Sequence, residues 1–235
     1  MIINTAGDYT LQYTATDACG NTTVVERELT VTSPPRTVLY TDGTFIINEL
    51  AEDMASNAAA HGAATNVYIP YDPNGATDVE KYIFSSASER PWHSKRASVR
   101  RIEIGSSIQP TSTAYWFRNF PFTSMDLENL DMSQVVNAKA MFAYCQSITS
   151  LDVSNFDTNN VTNMEQMFYY CSILETIYAS NTFVTTQVTA STEMFLNSSN
   201  IIGGAGTVWD WQYTDKERAK IDGGVSDPGY FTART

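Results

Sequence analysis

Between residues 99 and 202 the apolar positions return at a fixed spacing. Laying 124–149, SMDLENLDMSQVVNAKAMFAYCQSIT, over 150–175, SLDVSNFDTNNVTNMEQMFYYCSILE, gives ten identities in 26 positions without a gap. The next block, TIYASNTFVTTQVTASTEMFLNSSNII, adds one residue and loses most polar identities; an earlier one, IEIGSSIQPTSTAYWF, is shortened. Trp116-Phe117, Met141-Phe142, Met167-Phe168 and Met194-Phe195 hold the same place in the four blocks. Such a period predicts a solenoid whose imperfect end blocks act as caps. In each block a short apolar segment (MDL, LDV, IYA) predicts a strand. Stacked in parallel, these strands place 125, 151 and 177 in one inward column and 127, 153 and 179 in another. The Asn- and Asp-rich stretch that follows predicts a corner, with Asn129, Asn155 and Asn181 stacked as a ladder of buried amides. Met164, Met167, Phe168 and Cys171 then fall at helical spacing, which predicts a helical turn or two.

Upstream the pattern changes. Residues 7–32 alternate with period two: Tyr9, Leu11, Tyr13 and Ala15 share a face, and Val25, Leu29 and Val31 pattern a second strand after a DACGN turn. The prolines of SPPR end that segment and stiffen a linker. VLYTDGTFIINE predicts a second hairpin turning at Asp42-Gly43, LAEDMASNAAAH (50–61) a short helix closed by Gly62, and 66–90 an irregular stretch. VRRIEIGSSI (99–108) predicts a strand with Ile102 and Ile104 turned inward.

Composition narrows the function classes. With 26 acidic and 14 basic residues the chain carries a net charge of −12, which disfavours binding to nucleic acid or an anionic membrane through its overall field. No apolar run approaches a membrane span, and no signal peptide is visible at MIINTAGDYT; the opening reads as the interior of a domain, so a piece of a longer protein is expected. Three cysteines, Cys19, Cys145 and Cys171, speak against a disulfide framework.

Two resemblances follow from the motifs. Gly7, Tyr9, Tyr13, Ala15, Asp17, Gly20 and Asn21 resemble the last two strands of bacterial immunoglobulin-like and hyalin-repeat domains, which implies a spacer on a secreted protein. LDVSNFDTNNVTNMEQMFYYCSIL resembles the 26-residue repeat of bacterial surface proteins and lipoproteins grouped as BspA-like leucine-rich repeats. Leu151, Asp152, Ser154, Asn155, Phe156, Val161, Met164, Met167, Phe168, Cys171 and Leu174 are among the residues that match its pattern, over about 100–200. The tail from Gly203 resembles the closing segment of such arrays. The third block departs, with Tyr178 for Asp and Asn197 near the Cys position.

The expected fold class is therefore an α/β repeat: a short leucine-rich-repeat-like solenoid with a parallel β-sheet and short helices, plus an N-terminal β-hairpin segment. The expected divisions are 1–33 (immunoglobulin-like strands), 34–36 (linker), 37–98 (N-terminal cap), 99–200 (solenoid) and 201–235 (C-terminal cap). What the resemblance implies is an extracellular or cell-surface protein that adheres to a host, matrix or cell-surface protein or glycan, with no catalytic residue to carry over; a virion surface is the alternative location. A structural alternative is a phage or bacterial surface component, possible as a homo-oligomer, whose N-terminal strands join a partner subunit.

The residues that invite chemistry have simpler readings. Cys145 and Cys171 lie one period apart and are read as a reduced, buried column rather than a disulfide or metal pair. His61 and His93 lack partners at ligand or triad spacing. Asp126 and Asp152 are candidates for an acidic stripe binding calcium or a cation, but solvated strand residues or Asp bonding to nearby amides is preferred. RPWHSKRASVRR (90–101) would suit an anionic glycan or phosphate, against the preferred reading of a cap in which Trp92 covers the first block. The aromatic edge of Tyr144, Tyr169 and Tyr170, near Tyr115 and Trp116, suits sugar or protein. The binding candidates are Tyr144, Tyr169, Tyr170, Asp126, Asp152 and Tyr178. No catalytic residue, metal, cofactor, nucleic-acid partner or membrane insertion is expected.

Overall fold

The computed structural model describes residues 7–16, 22–31, 36–49, 54–68, 93–105 and 107–234. The chain divides into two compact units, Met1–Pro35 and Arg36–Thr235. In the first, β1 (Gly7–Thr16) and β2 (Thr22–Val31) pair antiparallel without a register shift, from Gly7–Val31 to Thr16–Thr22. The alternation of Tyr9, Leu11, Tyr13 and Ala15 is thus that of a strand. The DACGN turn, Cys19 and the prolines of the linker lie outside the described residues.

The second unit opens with the expected hairpin, β3 (Arg36–Tyr40) and β4 (Thr44–Glu49). Gly43 takes φ +88°, a left-handed conformation costly for other residues, and Asp42 accepts the Thr44 amide at 2.8 Å. The helix α1 spans Met54–His61 and stops at Gly62, φ +83°; residues 50–53 lie outside the described residues. Residues 64–68 form strand β5 (Ala64–Tyr68) on β3, so the irregular stretch expected from 66 begins too early. Thr65, Val67 and Tyr68 favour a strand, and pairing with β3 supplies the hydrogen bonds that hold one. Residues 69–92 lie outside the described residues.

Next come β6 (Arg101–Ile104), β7 (Ser124–Asp126), β8 (Ser150–Asp152), β9 (Thr176–Ala179) and β10 (Phe231–Ala233). They complete a mixed sheet, β5-β3-β4-β6-β7, and a parallel one, β10-β9-β8. The fold is α/β, with parallel and mixed sheets, few helices and, among the described residues, no closed barrel. No described helix is long and apolar enough to cross a membrane. Ile102 and Ile104 are buried as expected, and so are Leu127, Val153 and Ala179. The other column is uneven: Leu151 and Ile177 are paired and buried, but Met125 is only partly covered. The sheet does not run from β7 to β8, contrary to the single stack expected.

A larger correction concerns the second half of each block, where turns replace the expected short helices. Left-handed residues recur four apart: Tyr115 and Asn119, Ala140 and Tyr144, Gln166 and Tyr170, Glu193 and Asn197, all with φ between +52° and +63°. A right-handed helix cannot pass through them. Alternate amides are spent between blocks instead. Met164, Gln166, Phe168 and Tyr170 donate to the carbonyls of Ala190, Thr192, Met194 and Leu196, while Met167 and Tyr169 close turns onto Met164 and Gln166. The amides of 138, 140, 142 and 144 bond in the same way to 163, 165, 167 and 169. Bridges Ser112–Asn137, Asn137–Asn163 and Asn163–Ala190 are parallel. Every buried amide needs a partner, and the neighbouring block supplies it.

The interior columns follow the same offset. Phe117, Phe142, Phe168 and Phe195 stack face to face, with centroids 5.6, 5.7 and 5.4 Å apart and interplanar angles of 24°, 7° and 9°. Cys145 and Cys171 are free, buried thiols that donate to the carbonyls of Phe117 (3.2 Å) and Phe142 (3.1 Å). In the third block Ser198, not Asn197, continues this column, donating to Phe168 and accepting from the Cys171 amide at 3.0 Å. Burial pushes the Cys171 thiol up to about 12. Cys145 and Cys171 are thus expected to resist alkylation at pH 8 in the native protein and to react fully in guanidinium, as read by peptide mass mapping. Modification of Cys171 without denaturant would contradict the buried column.

The Asn ladder takes a different form. Asn129 donates to Ile104 O (2.9 Å) and Asn155 to Leu127 O (2.8 Å) and Leu130 O (3.1 Å), but both side chains stay at the surface. They tie corners to backbone carbonyls rather than to each other. In the third block Ser180 and Thr182, bonding to Ser154 O and Phe156 O, take the place expected for Asn181.

The stack is closed by the tail. β10 adds to β9, and the 8% exposed Asp222 gathers the amides of Ala205, Thr207, Gly224 and Gly229 and the hydroxyl of Thr207. The backbone passes so close there that a Cβ on Gly203 would lie 2.2 Å from Gly229 O and 2.6 Å from Asp222 Oδ2.

Candidate functional site

The six expected binding residues separate into two groups. Tyr144, Tyr169 and Tyr170 sit on the turn edge. Tyr144 and Tyr170 stack at 5.4 Å and 22°, and Tyr169 meets them at 5.3 and 5.6 Å. The Arg118 guanidinium lies 4.8 Å over the Tyr144 ring. Desolvation first, then a hydrogen bond with Tyr144 and the charge of Glu193, push the Tyr169 hydroxyl above its ordinary range. Of the three, Tyr170 is the most exposed, at 39%.

The backbone beneath these rings is unusual. The second left-handed position of each block holds Asn119, Tyr144, Tyr170 and Asn197 in turn. Asn suits that conformation; Tyr does not, at a cost of about 1–2 kcal/mol per residue. The two middle blocks therefore hold rings where the local backbone prefers Asn. Strain of this kind gathers at functional positions.

Beside Tyr144 opens a cleft of about 340 Å³, bounded by Arg96, Asn119, Phe120, Tyr144, Gln146 and Ser147. Arg96 comes from a tight turn, His93–Ser98, inside the basic stretch, so two features separate in the sequence meet here. Residues 90–92 of that stretch, with Trp92, lie outside the described residues.

Asp126, Asp152 and Tyr178 are on the strand side. Asp126 and Asp152 each accept an amide two residues on, from Glu128 (3.1 Å) and Ser154 (3.0 Å), which forms the corners. Asp152 also pairs with Arg234 Nε at 3.1 Å, and that guanidinium lies 5.0 Å over Tyr178. A cleft of about 380 Å³ lies here, lined by Arg101, Asp126, Glu128, Asp152 and Asn155 among others. Among the described residues no group of three His, Cys, Asp or Glu side chains could hold a metal ion.

Residues 110–218 match the family model described as "Mycoplasma protein of unknown function, DUF285". No curated protein and no solved structure matches the chain. The matched segment contains the Phe column, both buried cysteines and the tyrosine edge; it stops short of Asp222 and β10.

His61 is the remaining group that invites chemistry. Its Nδ1 lies 3.0 Å from Asp42 Oδ2 and 3.3 Å from Thr44 Oγ1, while Nε2 is 4.0 Å from Glu103. A catalytic triad needs the hydroxyl and the acid on opposite ring nitrogens; here both sit on Nδ1. The cluster braces the hairpin turn. Desolvation raises the Asp42 carboxyl, but hydrogen bonds from Thr44 and His61 outweigh it and hold it below its ordinary value. The side chain of His93 lies outside the described residues.

Sequence reading missed Arg118, Arg234 and Ser198. Arg118 and Arg234 act through stacking that carries no spacing signature. Ser198 was hidden by the extra residue in the third block.

Proposed function

We propose that this protein is a non-enzymatic recognition module of a bacterial or virion surface, built on a short leucine-rich-repeat-like solenoid of the BspA-like kind, and that it binds a protein or glycan on a host, matrix or cell surface. The observation that carries this reading is the pair of tyrosines, Tyr144 and Tyr170, held in left-handed backbone at a cost in stability. The rings stack on each other and Arg118 covers Tyr144, but Asn fills the same left-handed place in the outer blocks, so the turn itself does not require them. The bonding offset of one block, with buried columns inside and variable residues outside, supports the solenoid. The extracellular setting rests on the resemblance of the repeat and of the N-terminal hairpin.

A glycan and matrix-protein array tests it. Wild-type chain is expected to bind at least one ligand class, and Tyr170→Asn to lose that binding. The same substitution is expected to change stability by less than about 1 kcal/mol, because relief of backbone strain offsets the lost ring contact. Loss of binding together with unfolding, or undiminished binding, would count against the tyrosine edge as the ligand surface.

A second reading has its own observation. The first unit pairs two ten-residue strands, with no third strand among the described residues. A lone hairpin is marginal in water, and its edges suit strand addition to a partner or a second copy. Sedimentation of the full chain decides: concentration-dependent assembly supports this structural role, and a monomer throughout opposes it.

A further inference from the structure

We infer that the outer face of the Tyr170 ring is a binding site for an arginine side chain of a partner protein, an inference that rests on the recognition reading and specifies its ligand class.

The edge rings form a column that ends in the open. Arg118 lies over Tyr144 at 4.8 Å, and Tyr144 stacks on Tyr170 at 5.4 Å and 22°. Tyr169 stands beside this pair rather than beyond it, since it is 5.3 Å from Tyr144 and 5.6 Å from Tyr170. One block further on, the equivalent position is Asn197, which brings no ring. Among the described residues neither a ring nor a guanidinium lies against the outer face of Tyr170, which is 39% exposed.

A tyrosine face is electron-rich and attracts a cation. The chain fills such faces with arginine elsewhere: Arg218 lies 4.1 Å over Tyr213 and Arg234 5.0 Å over Tyr178, as Arg118 does at the other end of this column. A guanidinium is flat, so it stacks on a ring and still offers its edge N–H groups to acceptors. Acceptors stand nearby. Asn197 is exposed, and Glu193 lies close enough to Tyr169 for its charge to act there. Glu193 accepts a bond from the Gln166 amide at 2.7 Å and makes no ion pair among the described residues.

Charge selects a cation over a neutral occupant. Residues 121–200 carry eight acidic side chains and a single base, Lys139, which already pairs with Glu165 at 2.9 Å. The blocks that display Tyr170 therefore hold more than half of the chain's net charge of −12. That field draws basic segments of a partner toward the column. A neutral sugar would gain nothing from it.

The test is an NMR titration of the full chain in about 150 mM salt, where long-range attraction is screened. The probe is a capped heptapeptide with two arginines among glycines and serines, run beside the same peptide with citrulline, a neutral near-isostere, at both places. The arginine peptide is expected to bind in the millimolar range, at least about fivefold more tightly than the citrulline form. Its largest shifts are expected at Tyr170 and Asn197. Tyr170→Leu leaves the net charge unchanged and is expected to weaken the arginine peptide about two- to fivefold while the thermal transition is kept; Tyr170→Phe, which keeps a ring face, is expected to retain the binding. No binding, equal binding of the two peptides, or full affinity in Tyr170→Leu would overturn the inference. If an array ligand that requires Tyr170 is a neutral glycan and the arginine peptide does not bind, this occupant falls and the recognition reading stands; if no ligand of either kind requires Tyr170, both fall.

Discussion

Phe168→Ala is expected to destabilise the second unit by about 3–5 kcal/mol, the range for truncating a fully buried aromatic residue. Phe168 is one of the two inner members of the ring column: Phe142 lies 5.7 Å away on one side and Phe195 5.4 Å on the other, and Phe231 of the closing strand meets it edge-on at 6.3 Å. The vacated space cannot collapse easily, because blocks on both sides are held at fixed separation by main-chain bonds. Chemical denaturation reads the loss directly, and a fall in Tm of about 6 °C or more should accompany it. Phe168→Leu keeps much of the volume and should cost less than half as much. Equal losses for the two variants would show that ring stacking and cavity formation are not what hold the blocks together.

Asp222→Asn is expected to cost about 2–4 kcal/mol at pH 7, because an amide offers one acceptor oxygen to donors that now share two. Burial alone would raise this carboxyl; the bonds from Thr207, Gly224 and Gly229 outweigh it and hold it well below the usual carboxylate range. A carboxylate with a depressed folded-state pKa stabilises above its unfolded value, near 4, and that stabilisation fades as pH falls toward the folded value. The gap between wild type and variant should therefore be full at pH 7 and narrow below about pH 4. Urea unfolding at pH 7 and pH 3 measures it, and a gap independent of pH would rule out the carboxylate as the closing lock.

Helical spacing misled the reading of Met164, Met167, Phe168 and Cys171 for a definite reason. All four are buried, as the pattern requires, but apolar spacing records which side chains face inward, not where the amides go. A block that has a neighbour at the right distance can bond across to it, and left-handed residues at Gln166 and Tyr170 aim alternate amides outward to do so. A single isolated block would have no such option. The break between β7 and β8 is equally invisible in the pattern, since Met125 and Leu151 occupy equivalent places and differ only in how the chain around them packs.

The candidate site was legible in pieces. The tyrosines and the basic stretch each stood out by composition. Their meeting did not, because Arg96 precedes the matched blocks and shares no period with Tyr144.

The sequence by itself determined the period, the Met-Phe column, the buried cysteines, the inward Ile102 and Ile104 and the hairpin at Asp42-Gly43. Each is a local or strictly repeated pattern of burial, and burial is written in residue type. Tertiary structure alone decided the turns in place of helices, the division into two sheets, the Asp222 lock and the placing of Arg96 and Tyr144 around one cleft. Those depend on the distance and direction of backbone and side-chain groups far apart in the chain, and residue type does not encode distance.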